Sequence, residues 1–173
     1  MNFFSRLFGT SQDPSEELRP LWHETVRISR EPDWYRDGGV RDTVDGRVEM
    51  IMAVLALVML RMEVSPALSP KAARITELFV EDMDRQLREK GVGDLMVGKN
   101  IGKLVSALGG RMGAFRKAFA AEAEESALKD ALARKLALDA DIPGVSLVTQ
   151  FRALQGQLSG QGDEALLAGN IRA

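Results

Sequence analysis

Few residues in this chain have the types and spacing that chemistry needs. Its 173 residues include one histidine, His23, and no cysteine. Thiol catalysis, zinc–thiolate sites and disulfides are therefore excluded, and a histidine triad or cage lacks its parts. Carboxylates are plentiful, and Glu81, Asp82 and Asp84 stand close together. Residues two apart do not share a helix face, however, and Arg85 and Arg88 follow as ion-pair partners, so the run reads as a solvated charged face and no metal site is expected. Gly91-Val92-Gly93 is followed by Asp94 and lacks the later Lys-Ser/Thr of a phosphate loop. His23 and a methionine could in principle ligate haem. No Cys-x-x-Cys-His accompanies them, and the eight methionines fall largely at core spacing. The expectation is a chain with no catalytic residue and no cofactor.

Binding surfaces remain. With 23 Lys plus Arg against 25 Asp plus Glu, the formal charge is -2. No bulk attraction to polyanions follows, and direct nucleic-acid binding is not expected. Phe3, Phe4, Leu7 and Phe8 would share one side of a helix with Arg6 opposite, as in an interfacial anchor or a partner-docking segment. Burying four such side chains is worth at most roughly 6 to 12 kcal/mol before ordering costs, enough for reversible attachment. Packing of this segment on its own domain is the competing reading. Its MNFFSRLFG start has no secretory-signal pattern, so a cytoplasmic protein is expected, with peripheral contact at the inner face of the cytoplasmic membrane as a variant.

The elements that must position these groups are helical. Asp13-Pro14-Ser15-Glu16 has the pattern of a helix start, and Leu18, Leu21, Trp22 and Val26 continue it to about residue 29. Glu31-Pro32-Asp33-Trp34-Tyr35 suggests a short turn of helix, broken by Gly38-Gly39. A long helix from about Thr43 to Glu63 follows. Its run Met50 to Leu60 is apolar throughout, so it belongs at the centre of a bundle; at about 16 Å it cannot cross a hydrocarbon core of about 30 Å. Methionine's adaptability leaves a partner-accepting surface as the alternative for this helix. Ser69-Pro70 starts the next helix, marked by Ile75, Leu78, Phe79, Met83 and Leu87 and ended by Gly91. Val97, Ile101, Leu104, Val105, Leu108, Met112, Phe115 and Phe119 predict a further long helix that must tolerate several glycines. Gly98 with Gly102, and Gly109 with Gly113, would admit a close backbone. A surface helix over 120–138, a turn at Asp141-Ile142-Pro143-Gly144 and a helix over 146–158 complete the pattern. No stretch alternates with period two. The expected fold is all-α: an amphipathic segment over 1–12, one domain of six to seven helices over 13–158 with a central apolar helix, and a flexible tail over 159–173.

Two segments carry a family resemblance: Trp34-Tyr35-Arg36-Asp37-Gly38-Gly39-Val40-Arg41-Asp42-Thr43-Val44-Asp45-Gly46-Arg47-Val48-Glu49-Met50, and Glu81-Asp82-Met83-Asp84-Arg85-Gln86-Leu87-Arg88-Glu89-Lys90-Gly91-Val92-Gly93-Asp94-Leu95-Met96-Val97-Gly98-Lys99. The chain resembles the ubiquinol–cytochrome c chaperone family over about residues 15–120, as a bacterial member, with the C-terminal third adding nothing. The resemblance implies an assembly chaperone for newly made cytochrome b, with a small helical partner protein or the ribosome as further partners, and no catalysis. A peripheral membrane or ribosome tether without client folding is the alternative. Tyr35, Asp45, Arg47, Asp82, Asp84, Arg85, Arg88, Gly91, Gly93, Asp94 and Lys99 are the candidate client or partner surface, because so regular a run of charges is not needed for a core. An intramolecular lattice of ion pairs joining two helices is the other reading of the same charges.

Overall fold

The computed structural model describes residues 15–124, 126–142 and 145–172. The Asp13-Pro14 helix start and the aromatic segment Phe3 to Phe8 lie outside them. Helices α1 (Arg19–Ser29), α2 (Pro32–Arg36), α3 (Val44–Glu63), α4 (Ala72–Glu89), α5 (Asp94–Ala118), α6 (Ala127–Lys135), α7 (Val145–Gly160) and α8 (Asp163–Leu167) follow in order. Among the described residues the only β-type pairing is an isolated antiparallel bridge between Val40 and Leu138. The fold is an all-α bundle.

Helix α3 occupies its centre because its sequence offers no polar face to water. Every residue from Met50 to Met59 is buried, and α1, α4, α5 and α7 pack around it. Each large apolar side chain so enclosed contributes roughly 1.5 to 3 kcal/mol. Met52 meets Arg111, and Glu63 pairs with Arg116 at 2.7 Å, so α5 runs parallel to α3. Thr76 at the start of α4 meets Met59, and Met83 near its end shares a hollow with Val48 and Met52, so α4 runs antiparallel to both. A row of aromatics closes the other side: Trp34 stands edge-on to Phe151 at 5.1 Å, and Phe151 lies 5.7 Å from Phe115. No helix among the described residues is long and apolar enough to cross a membrane.

Three expectations change. The tail over 159–172 is not a free linker: Leu166 and Ile171 are fully buried. Arg61 donates to Asp163 at 2.8 Å and to the Gln161 carbonyl at 2.7 Å, while the Ser65 hydroxyl donates to the other Asp163 oxygen at 2.5 Å. Gly169, at φ +79°, lets the chain turn against the Pro20 carbonyl, and Arg172 then reaches Glu31. Two apolar anchors and one buried-edge ion pair hold what Gly-rich composition made look mobile. Secondly, α6 is shorter than the 120–138 expected, and it is not a surface helix: Leu128, Ala131 and Leu132 are buried. Thirdly, Gly98, Gly102, Gly109 and Gly113 have nothing within 4 Å of where a Cβ would stand, so no backbone among the described residues uses the room they leave.

Candidate functional site

The start of α3 is built around a glycine. Thr43 is extended, and its hydroxyl accepts the Gly46 N–H at 3.0 Å, capping the helix. A Cβ on Gly46 would stand 2.0 Å from the Arg41 carbonyl oxygen, so only glycine lets the preceding loop fold over the first turn. Asp42 in that loop receives Arg47 through two hydrogen bonds, at 2.6 and 3.1 Å. The guanidinium holds the Asp42 carboxyl below its ordinary range. Upstream, the Trp34 indole donates to the Ile28 carbonyl at 2.6 Å and the Tyr35 hydroxyl to the Ser29 carbonyl at 2.7 Å, which fixes α2 on the end of α1. Burial raises the Tyr35 phenol above its usual range, with the Arg47 guanidinium pulling the other way.

The turn from α4 to α5 is built differently. Gly91 is left-handed at φ +79° and ends α4, its N–H donating to Arg88 and that of Val92 to Leu87. Gly93 is extended and caps α5, its carbonyl accepting from Met96 and Val97. Neither glycine has an atom within 4 Å of its Cβ direction. Arg88 donates to Asp84 at 2.7 Å and also pairs with Asp94 in the first turn of α5; Arg85 pairs with Asp82. Hydrogen bonds from Arg88 to Asp84 and then Asp94 raise its pKa. The four charges singled out on α4 are thus engaged with each other and with Asp94. Yet Arg85 and Arg88 keep 69% and 50% of their side-chain exposure, so solvent screens these pairs and a partner can still reach them. Lys99 is exposed on α5, and Asp45 in the first turn of α3.

These residues do not form one surface: five of them line three depressions, and Asp84, Arg88, Gly91, Gly93, Asp94 and Lys99 line none of the three. Asp82 and Arg85 line a groove of about 620 Å³ between α1 and α4, shared with Trp22 and His23. Tyr35 and Arg47 line a second, of about 540 Å³. Asp45 borders a third, of about 410 Å³, whose floor is Val48, Met52, Met83 and Leu104 and whose rim carries Lys90 and Lys103. This last hollow joins the start of α3 to the turn bearing Gly91, Gly93 and Asp94. Val44 lines it at 59% exposure, and Leu95, at 89%, and Met96, at 48%, stand at the start of α5, little more than a turn before Asn100 of the same hollow. None of these three apolar residues was a candidate. The signal existed: each lies outside the buried stripe of its own helix. Among the described residues no group of three His, Cys, Asp or Glu is placed to hold a metal ion.

Residues 36–173 match the family described as ubiquinol-cytochrome C chaperone. The chain belongs to this family. The match includes α6, α7 and α8, so the ubiquinol–cytochrome c chaperone likeness does not stop near residue 120 as expected; the C-terminal third is part of it. The core explains why: Phe151, Leu154, Leu166 and Ile171 are as deeply buried as α3. The crystal structure of the Cbp3 homolog from Brucella abortus is similar to this chain at 32% identity and a TM-score of 0.77, covering 97% of this chain and 94% of that one. No curated protein matches significantly. Membership implies a client protein in assembly of the ubiquinol–cytochrome c reductase complex.

Proposed function

We propose that this chain is an assembly chaperone that holds newly made cytochrome b and assists biogenesis of the ubiquinol–cytochrome c reductase complex, without catalysing a reaction of its own. Family membership supports the reductase complex as its field of action. The observation that carries the client reading is the apolar hollow between α3, α4 and α5, with Val44 exposed in its lining and Leu95 and Met96 exposed at the start of α5. At about 410 Å³ it takes a few side chains rather than a whole helix. Each apolar side chain it covered would contribute roughly 1.5 to 3 kcal/mol, and the polar rim of Asp45, Lys90 and Lys103 would set orientation. The charged turn of Arg85, Arg88, Asp94 and Lys99 flanks this contact and steers the approach. In this reading the protein works in the cytoplasm and meets its client at the inner face of the membrane, where a small helical partner or the ribosome would deliver it.

The test is an affinity pull-down of the tagged chain from membranes solubilised in mild detergent, with cytochrome b and ribosomal proteins quantified. Leu95→Glu is expected to reduce recovered cytochrome b at least tenfold while leaving the thermal midpoint unchanged, because a side chain this exposed holds nothing in the fold. Arg85→Glu with Arg88→Glu is expected to lower recovery less. A folded wild-type chain that enriches no cytochrome b would sink the client reading and leave a tether in its place.

A further inference from the structure

Outside the hollow assigned to the client, the depression of about 540 Å³ is where the chain gathers arginines: Arg30, Arg36, Arg41 and Arg47 line it, against the two carboxylates of Asp42 and Asp139. The fold brings them from four places. Arg30 ends α1, Arg36 ends α2 and Arg47 lies in the second turn of α3. The loop carrying Arg41 is pinned to the segment after α6, with the Arg41 N–H donating to the Ala137 carbonyl at 2.9 Å and the Asp139 N–H to the Gly39 carbonyl at 2.7 Å.

The four guanidiniums are not equally committed. Arg36 is held by Asp33 and Asp37, both at 2.8 Å, and Arg47 by Asp42. Among the described residues no carboxylate or other acceptor engages the side chain of Arg30 or Arg41. Asp139, the remaining acid, accepts the Asp141 N–H at 3.2 Å. Two open guanidinium forks and a third shared with one aspartate therefore border this cleft, Arg30 standing where it meets the groove between α1 and α4, with Pro32, Val40 and the Tyr35 ring as the less polar wall.

We propose that this cleft is a binding site for a phosphate monoester, its oxygens taken by Arg30 and Arg41 and its organic part lying against Pro32, Val40 and Tyr35. Planar guanidinium forks match phosphate oxygens two at a time, and a dianion with three terminal oxygens satisfies two forks where a carboxylate satisfies one. The phosphate belongs either to a free metabolite-sized ester or to a lipid headgroup; both present the same group. The site stands apart from the client hollow and does not depend on the client's identity.

The experiment uses the full chain and two probes: glycerol phosphate by titration calorimetry, and vesicles of phosphatidylcholine with and without phosphatidic acid by co-sedimentation. Arg30→Gln with Arg41→Gln removes the open forks, and Lys129→Gln with Arg152→Gln removes the same charge from exposed positions elsewhere. The expected result is saturable binding of at least one probe, weakened tenfold or more by the cleft variant and less than twofold by the control pair. Binding of glycerol phosphate assigns a soluble ester, and binding only of phosphatidic acid vesicles assigns a headgroup. Failure of both probes to bind, or equal loss in the two variants, overturns the proposal. Unchanged near-ultraviolet circular dichroism of the cleft variant ensures that lost binding is not lost folding.

Discussion

Gly46 and Gly93 stand in the two segments that carry the family's sequence pattern, each at the start of a long helix, yet they do opposite things. A Cβ at Gly46 would stand 2.0 Å from a backbone carbonyl, whereas one at Gly93 would meet nothing within 4 Å. Gly38, in the same segment as Gly46, is equally confined, with the Trp34 carbonyl 2.5 Å from its Cβ direction. The first segment is therefore an architectural joint, in which glycine is the only residue the surrounding backbone admits. The second is an open corner, whose side chains face water and whose shape is set by one left-handed residue. A shared sequence pattern marks both alike; the space around each Cβ separates a joint that builds the fold from a corner that is open to water.

The largest expected effect breaks the joint. Gly46→Ala forces the Arg41 carbonyl out of its place over the first turn of α3, and we expect a loss of about 3 kcal/mol in urea unfolding, the upper end of the range for overpacking. A loss below about 0.5 kcal/mol would mean that the 41–43 loop yields freely and the contrast between the two segments is false. Next comes Gly91→Ala, where space is free but the backbone is left-handed at φ +79°. The cost there is conformational only, about 1 to 2 kcal/mol, and Gly91→Asn should recover part of it. Smaller still, and opposite in sign, are Gly98→Ala and Gly102→Ala, exposed positions inside α5 with open space around them. Each is expected to raise stability by up to about 1 kcal/mol, because alanine restores helix propensity without meeting a neighbour. A drop in either would show that α5 packs differently from the arrangement described.

Much of this fold was legible before any coordinates. The unbroken apolar run of α3, its start near Thr43, the stripe on α4 and the stop at Gly91 each rest on local physics that short sequence windows express. The tail was not legible, because Leu166 and Ile171 are two anchors without a period, and Gly160 at the end of α7 with Gly162 just after it reads as a linker. Arg111 was hidden for a related reason: it sits among the stripe residues of α5 but is only 5% exposed, with its Nη2 donating to the Lys135 carbonyl at 2.5 Å and Nε without a hydrogen-bond partner among the described residues. Burial lowers its pKa, against the pull of Glu49. Nothing local distinguishes such an arginine from its exposed neighbours Arg116 and Lys117. For the candidate surface, the charge run and glycines mark the turn between α4 and α5, and the structure places them there. The division into three depressions depends on which helix neighbours which, and that is not written in any one segment.

The finest test of the contrast uses pH. In the joint, Asp42 has its carboxyl held below the ordinary range by Arg47, so its ionised form is favoured by folding. A carboxyl with a depressed folded pKa contributes stability that is present above its unfolded value of about 3.9 and lost as pH falls through the folded value. Wild type should therefore exceed Asp42→Asn in urea midpoint by a constant small margin from pH 7 to pH 5, and the two should converge below about pH 4. The pair is exposed, so added salt should shrink that margin at neutral pH. A margin that persists unchanged at low pH would assign Asp42 a role other than its pairing with Arg47, and the joint would then owe its order to Gly46 and Thr43 alone.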